Sequence, residues 1–452
     1  MKSWLKISCV LCVFGFLREM RPSEPYHAEI LVSEWYQFTA DEVNRFVYPV
    51  GCYSQLALLI VVFLITDFLR YKPLIIANAA AGVVIWTAWI FTTTLPVLQG
   101  TEVLYGFYSA TEVAYYSFIY AKVEKQYYPK VTSHTRAATF VGKLVAGFLS
   151  QLVIGMKWMN LQELFYITLS PQVLAFIWAF FLPRVEKSLY FHNKIEAIQG
   201  NIKSDANGLE NASEPRKELN SESKNIPFSK KINQALELIW LHFRSAYTNP
   251  LVVQWSLWYA VNYAGYQQIT TYMQVAWNSF DDKPVTIWNG AVDAALTFLS
   301  AVFAILAGYL HAGRFKPKTS LIGMALLSIL EGCCVLLTCW PKNIYWSYIG
   351  FVLYGAIFAF AITMASSELA SSLEEDSFAL IFGFNTFVAL LLQCILTLVV
   401  ISETIGLNLS VSQQYSVYAF YYIVLGFVYL VAISLRGALT CLKGKKQSKS
   451  EA

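Results

Sequence analysis

Apolar residues gather along this chain in runs of about 20, each closed by a short polar or charged stretch. The runs lie near 7–26, 46–66, 73–93, 98–121, 134–156 and 161–182, and again near 249–273, 287–311, 319–339, 344–368, 377–400 and 413–436. At 1.5 Å rise per residue, a helix of that length crosses about 30 Å of hydrocarbon. No water is present there to satisfy backbone groups, so each run is expected to be a helix. The pattern predicts an all-α membrane protein, twelve transmembrane helices in two six-helix bundles over 1–184 and 246–437. A largely disordered cytoplasmic linker over 185–245 joins the bundles, and a cytoplasmic tail follows over 438–452.

Two segments need separate treatment. The first run opens like a secretory signal, with Lys2 and Lys6 before an apolar core, but continues into Arg18, Glu19, Arg21 and Glu24. A cleavage site needs small residues there, so the run is predicted to stay as a span. Residues 193–230 are polar and nearly free of aromatics, the composition of a disordered linker.

The basic residues give the orientation. On the side of the N-terminus stand 26 of the 33 Lys and Arg residues. The opposite side keeps Arg45, Lys157, Lys283 and Lys342, and Arg18, Arg21 and Lys143 fall within spans. Both termini and the linker are therefore expected in the cytoplasm. The Asn211-Ala-Ser sequon would face the cytoplasm unmodified, whereas Asn408-Leu-Ser lies outside, close to the membrane.

With 56% hydrophobic and 14% charged residues, a soluble protein is excluded. The net charge of +4 arises at cytoplasmic helix edges, where the partner is anionic lipid and not nucleic acid. Eight cysteines show no zinc spacing, and most read as small apolar core residues. There is no G-x-x-x-x-G-K-[ST] loop and no H-E-x-x-H pair, so neither cofactor, metal nor catalytic centre is predicted. A channel would need a continuous polar pore, which these apolar spans do not offer. Movement of a solute down a gradient, or coupled to one, through alternating access is the expectation.

Ionisable groups inside spans are costly unless paired or wetted, so they mark the candidate site. Glu112 stands mid-span among Tyr108, Tyr115 and Tyr116, a carboxylate ringed by aromatic faces that suits a cation. It is equally suited to pairing with Lys143 on the next span. Lys143 itself could pair with Glu112, bind a substrate anion or snorkel. Arg21-Pro22-Ser23-Glu24-Pro25 breaks the first span, placing Arg21 and Glu24 where they can pair or line a cavity. Asp293, after Asn289 and Gly290, is expected to face the cavity. Asn262, Tyr266, Gln267 and Thr270 form a polar stripe on the seventh span that either glues helices or lines the cavity. Glu331 and Glu368 are expected to be partnered or interfacial.

These same stretches carry a resemblance. MRPSEPY, TDFLRYKP, EVAYYSFIY, WSLWY with NYAGY, WNGAVDA, and ALIFGFNTFVAL with GLNL occur in order along nearly the whole chain. Together they resemble the reduced folate and thiamine carrier family, major-facilitator transporters that move vitamins across the plasma membrane. The resemblance implies that folate carriers hold basic residues where this chain has Glu112, Gly355 and Gln393, and that thiamine carriers share Glu112 and Gln393. Thiamine, or a related cationic vitamin, is therefore the favoured substrate, with folate as the alternative and the coupling ion open. Gly51 and Lys143 stand where thiamine carriers have a tryptophan and a tyrosine, and Gln267 replaces an asparagine. TDFLRYKP also resembles the major-facilitator loop signature, which implies gating by Asp67, Arg70 and Lys72 at the cytoplasmic end of the second span.

Overall fold

The computed structural model describes residues 3–185, 240–280, 287–311, 317–341, 343–373, 378–402 and 406–450. The predicted disordered stretch 193–230 and Asn211 lie outside them. Every predicted run is helical. In the first half these are α1 (Ser3–Glu19), α2 (His27–Val32), α3 (Ala40–Glu42), α4 (Tyr48–Phe68), α5 (Lys72–Phe91), α6 (Leu95–Ala110), α7 (Glu112–Lys122), α8 (Tyr128–Gly155) and α9 (Leu164–Ala179). The second half contains α10 (Pro250–Asn278), α11 (Asn289–His311), α12 (Pro317–Cys339), α13 (Ile344–Ser371), α14 (Phe378–Ile401) and α15 (Val411–Ser450). Among the described residues, eight helices are long and apolar enough to cross a membrane by themselves. The other runs are shorter, broken or striped with polar residues.

Two breaks shape the centre of the first half. The first run stops at Glu19 and resumes as a 3-10 turn, Glu24–Tyr26, before α2. Pro22 and Pro25 cannot donate to a helical ladder, which explains the interruption. The fourth run breaks at Thr111, between α6 and α7. There the carbonyl of Tyr108 accepts from Asn78 Nδ2 at 2.6 Å and from Arg18 Nη2 at 3.4 Å. Asn78 also donates to Thr111 Oγ1 at 2.7 Å. Side chains thus satisfy polar groups at the break, and Glu112 becomes the first residue of α7.

The second run starts earlier than predicted. Thr39 caps α3 in a reciprocal box with Glu42, and residues Val43–Val47 form a π-helical link into α4. At the other end of the chain α15 continues to Ser450, beyond the span expected to stop near 436, because the Lys-rich tail contains no proline to end it.

Within the first half, α1 packs on α8 and α9, α4 on α6, and α5 on α9; within the second, α12 packs on α15, α11 on α13, and α10 on α14. Between the halves, α8 meets α11 and α4 meets α14. At Gly147 and Gly290 the backbones of α8 and α11 approach closely. A side chain on Gly147 would come within 2.9 Å of the Gly290 carbonyl, and one on Gly290 within 2.6 Å of Ser150 Oγ. Phe298, Ile305, Phe420 and Phe427 are exposed on the outer surface, where lipid would cover them.

Candidate functional site

A network of charges fills the centre of the first half. Arg18 donates to Glu19, and its Nη2 lies 3.4 Å from Glu112 Oε2. Arg21 reaches Glu19 at 2.9 Å and Glu24 at 2.8 Å, and Lys143 Nζ lies 3.4 Å from Glu19 Oε2. Tyr105 joins the edge, accepting from Arg21 at 3.2 Å and donating to Glu24 at 2.9 Å. Tyr108 underlies the network, its ring centroid 4.6 Å from the Arg18 guanidinium carbon. Glu19 is the hub, since its carboxylate contacts all three cations.

Exposure divides this network in two. The side chains of Arg18 and Glu19 are 4% exposed, whereas those of Glu24, Glu112 and Lys143 are 36%, 40% and 49% exposed. Groups of the second half lie in the field of the exposed three. Lys143 is within electrostatic reach of Tyr266, Glu112 of Tyr263, and Asp293 of Lys143, Glu24 and Arg21. They therefore stand toward the seam between the halves, the candidate site. Glu19, Glu24 and Glu112 pair there with Arg18, Arg21 and Lys143, and Asp293 of α11 lies in the same field.

The wall from the second half is aromatic. Tyr266 stacks on Phe358 with centroids 3.8 Å apart and planes 6° from parallel, and Tyr263 and Tyr354 flank the pair at 6.2 and 6.1 Å. Gln267 is half-buried on the same helix, and Thr270 returns its hydroxyl to the Tyr266 carbonyl at 2.8 Å. An apolar recess lined by Trp288, Val292, Tyr348 and Val352 opens between α11 and α13. It contains no charged group, so the site is assigned to the charge network.

Several expected placements differ. Lys143 pairs with Glu19 instead of Glu112, because the broken first span brings Glu19 closer and leaves Glu112 to Arg18. Tyr115 and Tyr108 are buried inside the first half, donating to the Leu11 carbonyl at 2.8 Å and the Arg18 carbonyl at 3.2 Å, so neither ring lines the seam. Asn262 is also buried, donating to Glu331 Oε2 at 2.6 Å inside the second half. It glues helices, with Tyr422 donating to its carbonyl at 2.8 Å. Gln393 is buried on α14. Lys72 donates to the carbonyls of Phe180 and Leu182 at 2.8 and 2.6 Å, capping the end of α9 within one half and not bridging two. Arg70 is exposed at φ 59°, and the Asp67 side chain lies outside the described residues.

The sequence reading missed the roles of Arg18, Glu19, Asn78 and Tyr105. Adjacent opposite charges inside an apolar run were the available signal for the first two; Asn78 and Tyr105 looked like ordinary packing residues.

Bonds between the halves cluster at one face, where α2 and α10 end and α15 begins, remote from both termini. Gln274 Nε2 donates to the Glu24 carbonyl at 2.7 Å, and Gln274 Oε1 accepts from Ala28 N at 3.1 Å. Gln151 donates to the Ile287 carbonyl and accepts from Ala291 N, both at 3.1 Å. Arg45 donates to Asn408. These bonds tie the two halves together at this far face.

The sequence profile described as Reduced folate carrier matches residues 2–417. The chain belongs to the reduced folate carrier family. Among its relatives, human Thiamine transporter 1 is 34% identical over 97% of this chain and 91% of its own length. Human Reduced folate transporter is 30% identical over 98% of this chain and 74% of its own length. Folate-like transporter 2 of Caenorhabditis elegans is 32% identical over 96% and 97%. The fold of this reduced folate carrier family member is of the major-facilitator type. A D-xylose-proton symporter superposes with a TM-score of 0.64 at 12% identity, covering 95% of this chain and 97% of its own. The nucleoside transporter NupG gives 0.59 at 12% identity, covering 94% and 98%. As a multi-pass membrane protein of this family, the chain is a transporter and not an enzyme.

Proposed function

We propose that this carrier moves thiamine or a closely related cationic vitamin across the plasma membrane by alternating access. The observation that carries the reading is the pair of accessible carboxylates, Glu112 and Glu24, whose side chains are 40% and 36% exposed inside the charge network. Such carboxylates attract a monocation and repel a folate dianion. Glu112, Glu24 and Asp293 supply the negative field, and Tyr266 with Gln267 supplies the aromatic and polar wall for a ring. Lys143, held by Glu19, tunes that field. Gly355 and Gln393 bring no positive charge. The relationship to Thiamine transporter 1 supports the same substrate.

Orientation follows the charge tally, with both termini cytoplasmic. The tied far face is then extracellular, and the site opens inward. Gating at the cytoplasmic end of α4 then rests on Asp67 and Arg70, since Lys72 is engaged in capping α9.

A second reading, an anionic vitamin such as folate, rests on the exposed Lys143 ammonium. Uptake of labelled thiamine and folate, measured side by side in transporter-null cells, decides between them. Saturable thiamine uptake that falls in Glu112→Gln is expected. Folate uptake that depends on Lys143 while thiamine is ignored would overturn the cationic reading. Protease protection placing the linker outside the cell would overturn the orientation.

A further inference from the structure

The tied far face contains a pair of thiols that the transport reading does not use. Cys52 on α4 and Cys394 on α14 belong to opposite halves, and their sulfurs are 3.3 Å apart. Cys394 also directs its thiol toward the Cys52 carbonyl at 3.5 Å. Both are buried and neither is in a disulfide. The α4–α14 contact is one of the two main seams between the halves, and Cys52 and Cys394 sit at its far-face end, a turn or so from the start of α4 and two turns from the end of α14. A disulfide needs a sulfur separation of about 2.05 Å. Closing the remaining distance is within the reach of side-chain rotation in helices that already touch.

We propose that Cys52 and Cys394 form an oxidisable dithiol site at which a peroxide bonds the two halves together and holds the far face shut. The chemistry balances in two steps. When the face opens, hydrogen peroxide oxidises one thiol to a sulfenic acid, releasing one water. On closure the second thiol attacks that sulfur, the S–S bond forms, the S–OH bond breaks, and hydroxide leaves with the thiol proton as a second water. A thiol reductant reverses the bond by exchange. Because alternating access requires these halves to part, the cross-linked carrier no longer admits substrate from that side. This last consequence rests on the carrier reading; formation of the bond does not. With the far face extracellular, the site meets the oxidising compartment.

The test uses full-length carrier with a protease site inserted in the linker, so that cleavage separates the halves unless a disulfide joins them. After hydrogen peroxide and cleavage, wild-type halves are expected to migrate together on a non-reducing gel and apart after reduction. Cys52→Ser and Cys394→Ser halves are expected to separate in every condition. Uptake by the wild type should fall at least tenfold with peroxide and recover with reductant, while each serine variant keeps the uptake it shows untreated. If wild-type halves separate after oxidation, the dithiol site is overturned. If they remain joined yet uptake persists, the locking role is overturned and with it the parting of this face during transport. Should one serine variant fail to reach the membrane, the other carries the comparison.

Discussion

The two halves solve the problem of a polar interior in opposite ways. The first half buries full charges and compensates them mutually through Glu19, whose single carboxylate touches Arg18, Arg21 and Lys143. The second half relies on aromatic faces and neutral hydrogen bonds, with the Tyr266–Phe358 stack, Tyr354 against Tyr422 at 2.7 Å, and Glu331 held by an amide. A charged network holds its geometry only while its hub stays in place, because losing Glu19 leaves buried ions without a partner, whereas Arg18 keeps Glu19 when Glu112 is lost. Stacked rings can slide without breaking such a bond. On the proposed reading, the first half holds the substrate's charge in a fixed field and the second follows its ring.

The sharpest way to break this contrast is to remove the hub. Glu19→Ala leaves three cations without their shared carboxylate and is expected to destabilise the first half by about 3–5 kcal/mol. Folded carrier recovered from membranes should nearly vanish in fluorescence-detected size exclusion, and normal recovery would show that the network does not hold this half. Glu112→Gln tests the field and not the fold. It keeps shape but loses charge, so abundance should be unchanged while thiamine affinity falls roughly thirtyfold, about 2 kcal/mol. Equal affinity in wild type and variant would remove Glu112 from the site.

Smaller effects sharpen the other side. Tyr266→Phe keeps the stacked face and should transport nearly as wild type, whereas Tyr266→Ala should raise KM several-fold, in line with the roughly 1 kcal/mol that aromatic pairs contribute. A Phe variant as impaired as Ala would assign the role to the hydroxyl. Glu331→Gln should change melting temperature and uptake least, by under about 1 kcal/mol, because the Asn262 amide bonds a carboxamide as well as a carboxyl group. A collapse of that variant would mean that the second half depends on a charge after all.

Much of the fold was legible because apolar run length is a local property. Membrane thickness fixes it, and proline placement foretold the break in the first span. What the sequence could not supply was pairing. Lys143 was offered only Glu112 as a carboxylate partner, and its pairing with Glu19 depends on how the chain turns after Glu19. The break at Thr111 depends on Asn78, 33 residues away, and no local signal in α6 reveals it. Tyr115 and Asn262 were expected at the cavity because their neighbours in sequence face it. On a helix the adjacent residue points about 100° away, so Tyr116 and Tyr263 reach the field of Glu112 while Tyr115 and Asn262 turn inward.

The backbone contact of Gly147 with Gly290 has a mechanical meaning. Two helices whose backbones meet at glycines have little cushion to compress, so on the alternating-access reading their touching point serves as a fulcrum for rocking. Distances from it act as lever arms, and a displacement of a few tenths of an ångström there becomes ångströms at the opposite face. One methyl group at either glycine would act as a shim: it would leave each half folded and shift how much of its time the carrier spends open to each side.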